Sequence, residues 1–153
     1  MKNVLALSAA FALGLAACGA PADDAAPAEG TQPAPAPAAA PRSVTILEPA
    51  EGSTVTGSTV QVRLAVAGVP IVPAGDLTPG TGHHHLYLDA ELTPPTQPVP
   101  TVPGSIVHMG NAAAEFRFDS VQPGTHRLIA VVADGVHVPL QPWVVDTVTF
   151  TTR

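Results

Sequence analysis

Between Ser43 and Arg153 the apolar residues recur at every second position, and Gly and Pro cut the runs short. Val60, Val62, Leu64 and Val66 alternate with Gln61, Arg63 and Ala65. Phe116 and Phe118 alternate with Glu115, Arg117 and Asp119, and Val148 and Phe150 with Thr147, Thr149 and Thr151. Successive side chains of a strand point to opposite faces, so each run describes a strand with one dry and one wet face. His126 to Ala133 (HRLIAVVA) is apolar on both faces, as a central strand is. No stretch of this region has helical periodicity. Short strands separated by Pro/Gly turns predict an all-β fold, an immunoglobulin-like antiparallel β-sandwich of about seven strands. The expected strands are A (43–48), B (59–67), C (83–89), a C′ or D strand near 105–109, E (114–119), F (125–133) and G (144–152). In this fold C and F are antiparallel neighbours, so the start of C lies beside the end of F. The segment Ala90 to Pro103 holds five prolines, which forbids a central strand and predicts a surface loop.

The first 42 residues obey different rules. Lys2 supplies a positive n-region, and Val4 to Leu15 is an apolar run too short to span a bilayer, which takes about 20 residues. The run ends in Leu15-Ala16-Ala17-Cys18, which resembles the lipobox of bacterial lipoproteins. That resemblance implies a signal peptide over residues 1–17 and a lipid-modified Cys18. Each buried methylene of such a lipid contributes about 0.8 kcal/mol, so several chains make a firm membrane anchor. Gly19 is not the Asp that retains such lipoproteins in the inner membrane, which points to the periplasmic face of the outer membrane. Residues 19–42 alternate Pro and Ala, a composition that favours polyproline II and predicts a disordered tether. The expected organisation is therefore signal peptide (1–17), lipidated Cys18 with tether (18–42) and one sandwich domain (43–153).

Charge and cysteine content narrow the function classes. The formal charge is -6, and the only lysine is Lys2. Five arginines (Arg42, Arg63, Arg117, Arg127, Arg153) face twelve carboxylates, so no basic footprint for nucleic acid can be built. With Cys18 as the single cysteine, no intramolecular disulfide exists and the domain must be held by its core. No G-x-S-x-G elbow, H-E-x-x-H helix or lysine-bearing phosphate loop is present, so a non-enzyme is expected. The expected partner is the membrane, reached through the lipid on Cys18; nothing identifies a protein partner.

The unusual chemical feature is histidine. All six (His83, His84, His85, His108, His126, His137) fall in the sandwich region. Strand alternation points His84 inward with Leu86 and Leu88, and sends His83, His85, Tyr87 and Asp89 the other way. Topology then places His83, His85, His108 and His137 at one end of the sandwich, with His126 at the other. Neutral imidazole is the commonest metal ligand, so these four form a candidate site for zinc or copper. Asp134 is a further candidate ligand, and Met109 would add a soft donor suited to copper(I). His84 and His126 are expected to be structural: His84 as a buried, hydrogen-bonded side chain, His126 as the maker of a corner hydrogen bond at the position where many such folds carry a Tyr. The competing reading makes all six architectural in a structural or interaction module of the cell envelope, since buried imidazoles can satisfy one another in a network. Asp89 and Glu91 are expected to form a solvated strand end.

Gly82-His83-His84-His85-Leu86, followed by Ile106-Val107-His108-Met109-Gly110, then by Gln122-Pro123-Gly124-Thr125-His126 and Asp134-Gly135-Val136-His137-Val138-Pro139, resembles a family of bacterial secreted domains of unknown function. The resemblance runs from about Val44 to Thr151 and implies export and an immunoglobulin-like fold, without an activity. All six histidines fall on the family's histidine positions. Met109 stands where the family has an aromatic, Ala114 where Thr is usual, Leu140 where a further His is common, and Trp143 where a Pro is usual.

Overall fold

The computed structural model describes residues 41–153; the expected signal peptide, the lipidated Cys18 and nearly all of the tether lie outside the described residues. Eight strands and no helix make up the described part: β1 (Ser43–Glu48), β2 (Thr54–Val55), β3 (Val60–Ala67), β4 (His83–Leu88), β5 (Ile106–Met109), β6 (Glu115–Phe118), β7 (Gly124–Ala133) and β8 (Val145–Thr152). They form a three-stranded sheet, β1-β3-β6, and a five-stranded sheet, β2-β8-β7-β4-β5. This is the immunoglobulin arrangement, with β1, β3 and β6 as A, B and E, and β8, β7 and β4 as G, F and C. β5 pairs with β4 and is therefore strand C′, not D. The two-residue β2, parallel to β8, is absent from the sequence reading because two residues carry no period.

The alternation does what a sandwich requires. Val44 and Ile46 of β1, Val60, Val62 and Leu64 of β3, and Phe118 of β6 face Leu86 and Leu88 of β4, Leu128, Ala130 and Val132 of β7, and Val148 and Phe150 of β8. Each large side chain buried here contributes about 1.5–3 kcal/mol relative to exposure. The three-stranded sheet keeps a wet outer face, with Gln61, Arg63 and Ala65 exposed.

The outer face of the larger sheet is different. All six residues of β4 are buried, on both faces. Tyr87, Ile106, Ile129, Val131 and Ala133 form a second apolar cluster there, joined by Val99. Val99 belongs to the Pro-rich loop, which therefore covers the sheet and is not a passive surface connection. Among the bonds that fasten it, the Val99 amide donates to the His137 carbonyl (2.9 Å), the Tyr87 hydroxyl to Thr93 Oγ1 (2.9 Å) and the Arg127 guanidinium to the Ala90 carbonyl (3.1 Å). Prolines suit this covering role, since the segment pairs with the sheet only through the Val102–Ile106 bridge at its end.

Candidate metal centre

The upper half of this covered face holds the histidines. β4 supplies His83 and His85, two residues apart and hence on the same face. β5 supplies His108, directly opposite His85 in the register. His137 comes from the turn between β7 and β8. That turn is built by Asp134, whose Oδ1 accepts from the amides of Val136 (3.0 Å) and Val138 (2.9 Å). His137 sits in the left-handed region (φ 70°), a conformation His adopts more readily than most residues. The pairing of Ala133 with Pro139 closes the turn and folds His137 back over the sheet.

Four imidazoles meet as a result. His83 Nε2 and His85 Nε2 are 3.0 Å apart, and His108 Nε2 and His137 Nε2 are 3.3 Å apart. One ring nitrogen from each of the four residues lies within 4.8 Å of the others, and this group can hold a metal ion. His83 and His85 are fully buried; His108 and His137 are half-buried. Burial, reinforced by the neighbouring His108 and His137, lowers His83 from the ordinary imidazole value to about 4. Burial likewise lowers His85 to about 3, with His83, His108 and His137 adding to the effect. Burial also lowers His108, and His137 adds to it. A metal needs neutral imidazoles, and the two buried ones stay neutral far below pH 7.

Glycines flanking the histidines make room for them. A Cβ on Gly110 would lie 2.8–2.9 Å from the His108 ring. A Cβ on Gly82 would lie 2.6 Å from the Ala133 carbonyl oxygen, where β4 enters beside β7. A Cβ on Gly135 would collide with the Asp76 carbonyl, against which the turn rests. Each stands within two residues of a histidine, a proximity that is visible in the sequence although the close approach it serves is not.

The other candidates are placed elsewhere. Asp134 is engaged by backbone amides and shapes the turn; it is not among the grouped ligand atoms. Met109 pairs across from His84 and is buried in the core between the sheets, on the opposite face from the imidazoles. It cannot donate to them, because neighbouring strand residues point to opposite faces. His84 is buried as expected, but its Nδ1 has no hydrogen-bond partner, contrary to the expected bonded role. Burial lowers it to about 4, so it too is neutral at pH 7.

His126 lies at the far end of β7 and makes the corner bond, with its Nε2 2.7 Å from the Gln122 carbonyl four residues upstream. Its Nδ1 lies 2.6 Å from Asp89. Asp89 also accepts from the Arg127 amide (2.9 Å), and Glu91 pairs with Arg127, so this strand end is organised and not merely solvated.

The sequence model of one protein family matches residues 62–153, more than half of the chain and all six histidines. The chain belongs to that family. It is described as Domain of unknown function (DUF4399). The match to DUF4399 runs from within β3 through β8 and includes every glycine and histidine of the centre described above. No curated protein matches the chain. Among solved structures, the crystal structure of an engineered protein is similar over 76% of this chain, at 15% identity and a TM-score of 0.44. The chain spans 21% of that structure's length.

Proposed function

We propose that this protein is an envelope lipoprotein whose β-sandwich binds a transition metal, zinc or copper, through His83, His85, His108 and His137. The observation that carries the reading is the convergence of four ring nitrogens, from three separate chain segments, within 4.8 Å. Its export half rests on the sequence of residues 1–42: the apolar run, the lipobox-like Leu15-Ala16-Ala17-Cys18 and the Pro/Ala tether. Cys18 would carry the lipid and place the domain at the periplasmic face of the outer membrane. We assign no catalysis, since four ligands leave no open position for substrate.

The architectural alternative draws on the two Nε2–Nε2 contacts, which can each be a hydrogen bond. Against it stands the state of the other nitrogens. His83 Nδ1 and His85 Nδ1 are buried without partners, so the network does not satisfy itself. Buried polar groups without partners cost about 1–3 kcal/mol each, and a chain that needed only structure would be better served by apolar residues. With His83 near 4 and His85 near 3, neither of these two rings changes charge between pH 5 and 8, so both are available as neutral donors across that range.

Titration of the purified protein with zinc and copper(II), followed by calorimetry, tests the proposal. One ion per chain with a sub-micromolar Kd is expected, lost in His83→Ala and His137→Asn. Binding no tighter than tens of micromolar, as scattered surface imidazoles give, would defeat it. Export is tested separately, by metabolic labelling with a radioactive fatty acid; a Cys18→Ser variant that still incorporates label would remove the lipid anchor.

A further inference from the structure

The four imidazoles are arranged in a way that separates one class of cation from another. Their six ring-centre distances are 4.8 Å (His83–His85), 4.9 Å (His83–His108), 4.9 Å (His83–His137), 5.1 Å (His85–His108), 5.5 Å (His85–His137) and 4.7 Å (His108–His137). Four points with six nearly equal separations are the corners of a tetrahedron. A square would need two of the six to exceed the rest by a factor of about 1.4, as in the tetragonal sites of copper(II) and nickel(II). Here the longest exceeds the shortest by only about 1.2-fold.

The absolute size agrees. With Zn–N bonds of 2.0–2.1 Å, and each ring centre about 1.1 Å behind its nitrogen, a tetrahedral zinc site sets ring centres about 5.2 Å apart. A square site of the same bond length would set them about 4.5 Å and about 6.4 Å apart. No observed separation reaches the longer value. The same zinc tetrahedron has N–N edges of about 3.3 Å. The His83–His85 and His108–His137 pairs are at 3.0 and 3.3 Å, and the four nitrogens as a set lie within 4.8 Å, so closing the tetrahedron draws the wider pairs in by up to about 1.5 Å.

The donor chemistry narrows the choice further. All four donors are borderline imidazole nitrogens. The thioether of Met109 faces the opposite side of the sheet, which removes the soft ligand that copper(I) favours. The Asp134 carboxylate is spent on the turn, which removes the hard oxygen that would suit manganese or magnesium.

Resting on the metal-binding reading above, we propose that the site is built for zinc(II), held in closed tetrahedral coordination as a staple between β4, β5 and the β7–β8 turn. With all four positions filled by protein, the ion organises structure. It ties the turn that carries His137, and through the His137 carbonyl the Pro-rich cover at Val99, to the central strand β4. Because the unfolded chain has no such site, the binding energy is folding energy.

Cobalt(II) is the probe of geometry, since four-coordinate cobalt absorbs strongly in the visible and six-coordinate cobalt only faintly. The purified protein is loaded with cobalt(II), titrated with zinc, and loaded separately with copper(II) for electron paramagnetic resonance. Intense four-coordinate cobalt bands are expected, bleached stoichiometrically by zinc, together with a higher melting temperature in the zinc form. His137→Asn, which keeps a residue tolerant of the left-handed backbone, should lose the bands, weaken zinc binding about a hundredfold or more and retain its circular dichroism. His84→Leu, one residue from two ligands but on the other face, should keep the bands. Faint six-coordinate cobalt bands would overturn the zinc assignment alone. So would a tetragonal copper(II) spectrum with zinc unable to displace cobalt. Failure of zinc, cobalt and copper alike to bind would overturn the metal-binding reading with it.

Discussion

Within the triplet, position along the strand decides chemistry. His83 and His85 share a face with His108, while His84 enters the core opposite Met109. An unpartnered imidazole nitrogen in that core costs stability, and an apolar side chain of similar size does not carry the cost. His84→Leu should therefore stabilise the metal-free protein by about 1 kcal/mol, read as a higher denaturant midpoint. A lower midpoint would show that His84 has a partner the geometry does not reveal. Gly110→Ala makes the opposite kind of change. Its Cβ would press on the His108 ring at 2.8–2.9 Å, displacing one ligand without removing it. Zinc affinity should fall about tenfold or more with little change in the fold of the metal-free protein, and unchanged affinity would mean the ring has room to yield.

Among the strands, β7 joins two functions at its two ends. Near Ala133 it supports the histidine cluster; near His126 it carries the corner. Asp89 holds that corner through His126 Nδ1 and the Arg127 amide. Asp89→Ala should cost about 1.5–3 kcal/mol, the worth of bonds to a charged acceptor, and leave metal affinity unchanged. Loss of metal binding in this variant would show that the two ends are coupled through β4 and β7. The same strands show how far a sequence can be read. β1 and β3 were legible because each has one dry and one wet face. The convergence of His83, His85, His108 and His137 was legible because alternation fixes the face and topology fixes the end. The covered outer face was not. Its burial depends on Val99 and Tyr87 meeting across the Pro-rich loop, and a loop without period gives no sign of where it lies. Met109 and Asp134 differ from expectation for related reasons: residue type suggests a ligand, while register and turn geometry commit each elsewhere.

For the molecule as a whole, the buried histidines set how stability follows pH. His83, His84 and His85 have folded-state values near 4, 4 and 3, against an ordinary 6.5. Between those limits the unfolded chain binds more protons than the folded one. Stability therefore rises with pH across this window, is complete above about 6.5, and is lost as pH falls toward 4. Each proton contributes at most about 1.4 kcal/mol per pH unit to the slope. His126 works the other way. Burial tends to lower it, but the Asp89 hydrogen bond, the Gln122 carbonyl and the Asp89 charge together raise it. Its contribution is present below 6.5 and is lost as pH rises through its raised folded value. Three groups outweigh one, so the metal-free protein should lose stability steadily from pH 6.5 to 4.5, with its net slope steepened in Asp89→Ala. Urea midpoints at half-unit intervals of pH, in the presence of a chelator, measure this directly. A flat profile would mean that the three imidazoles are hydrated in the folded state, in disagreement with the full burial of His83 and His85 under the β7–β8 turn and of His84 between the sheets.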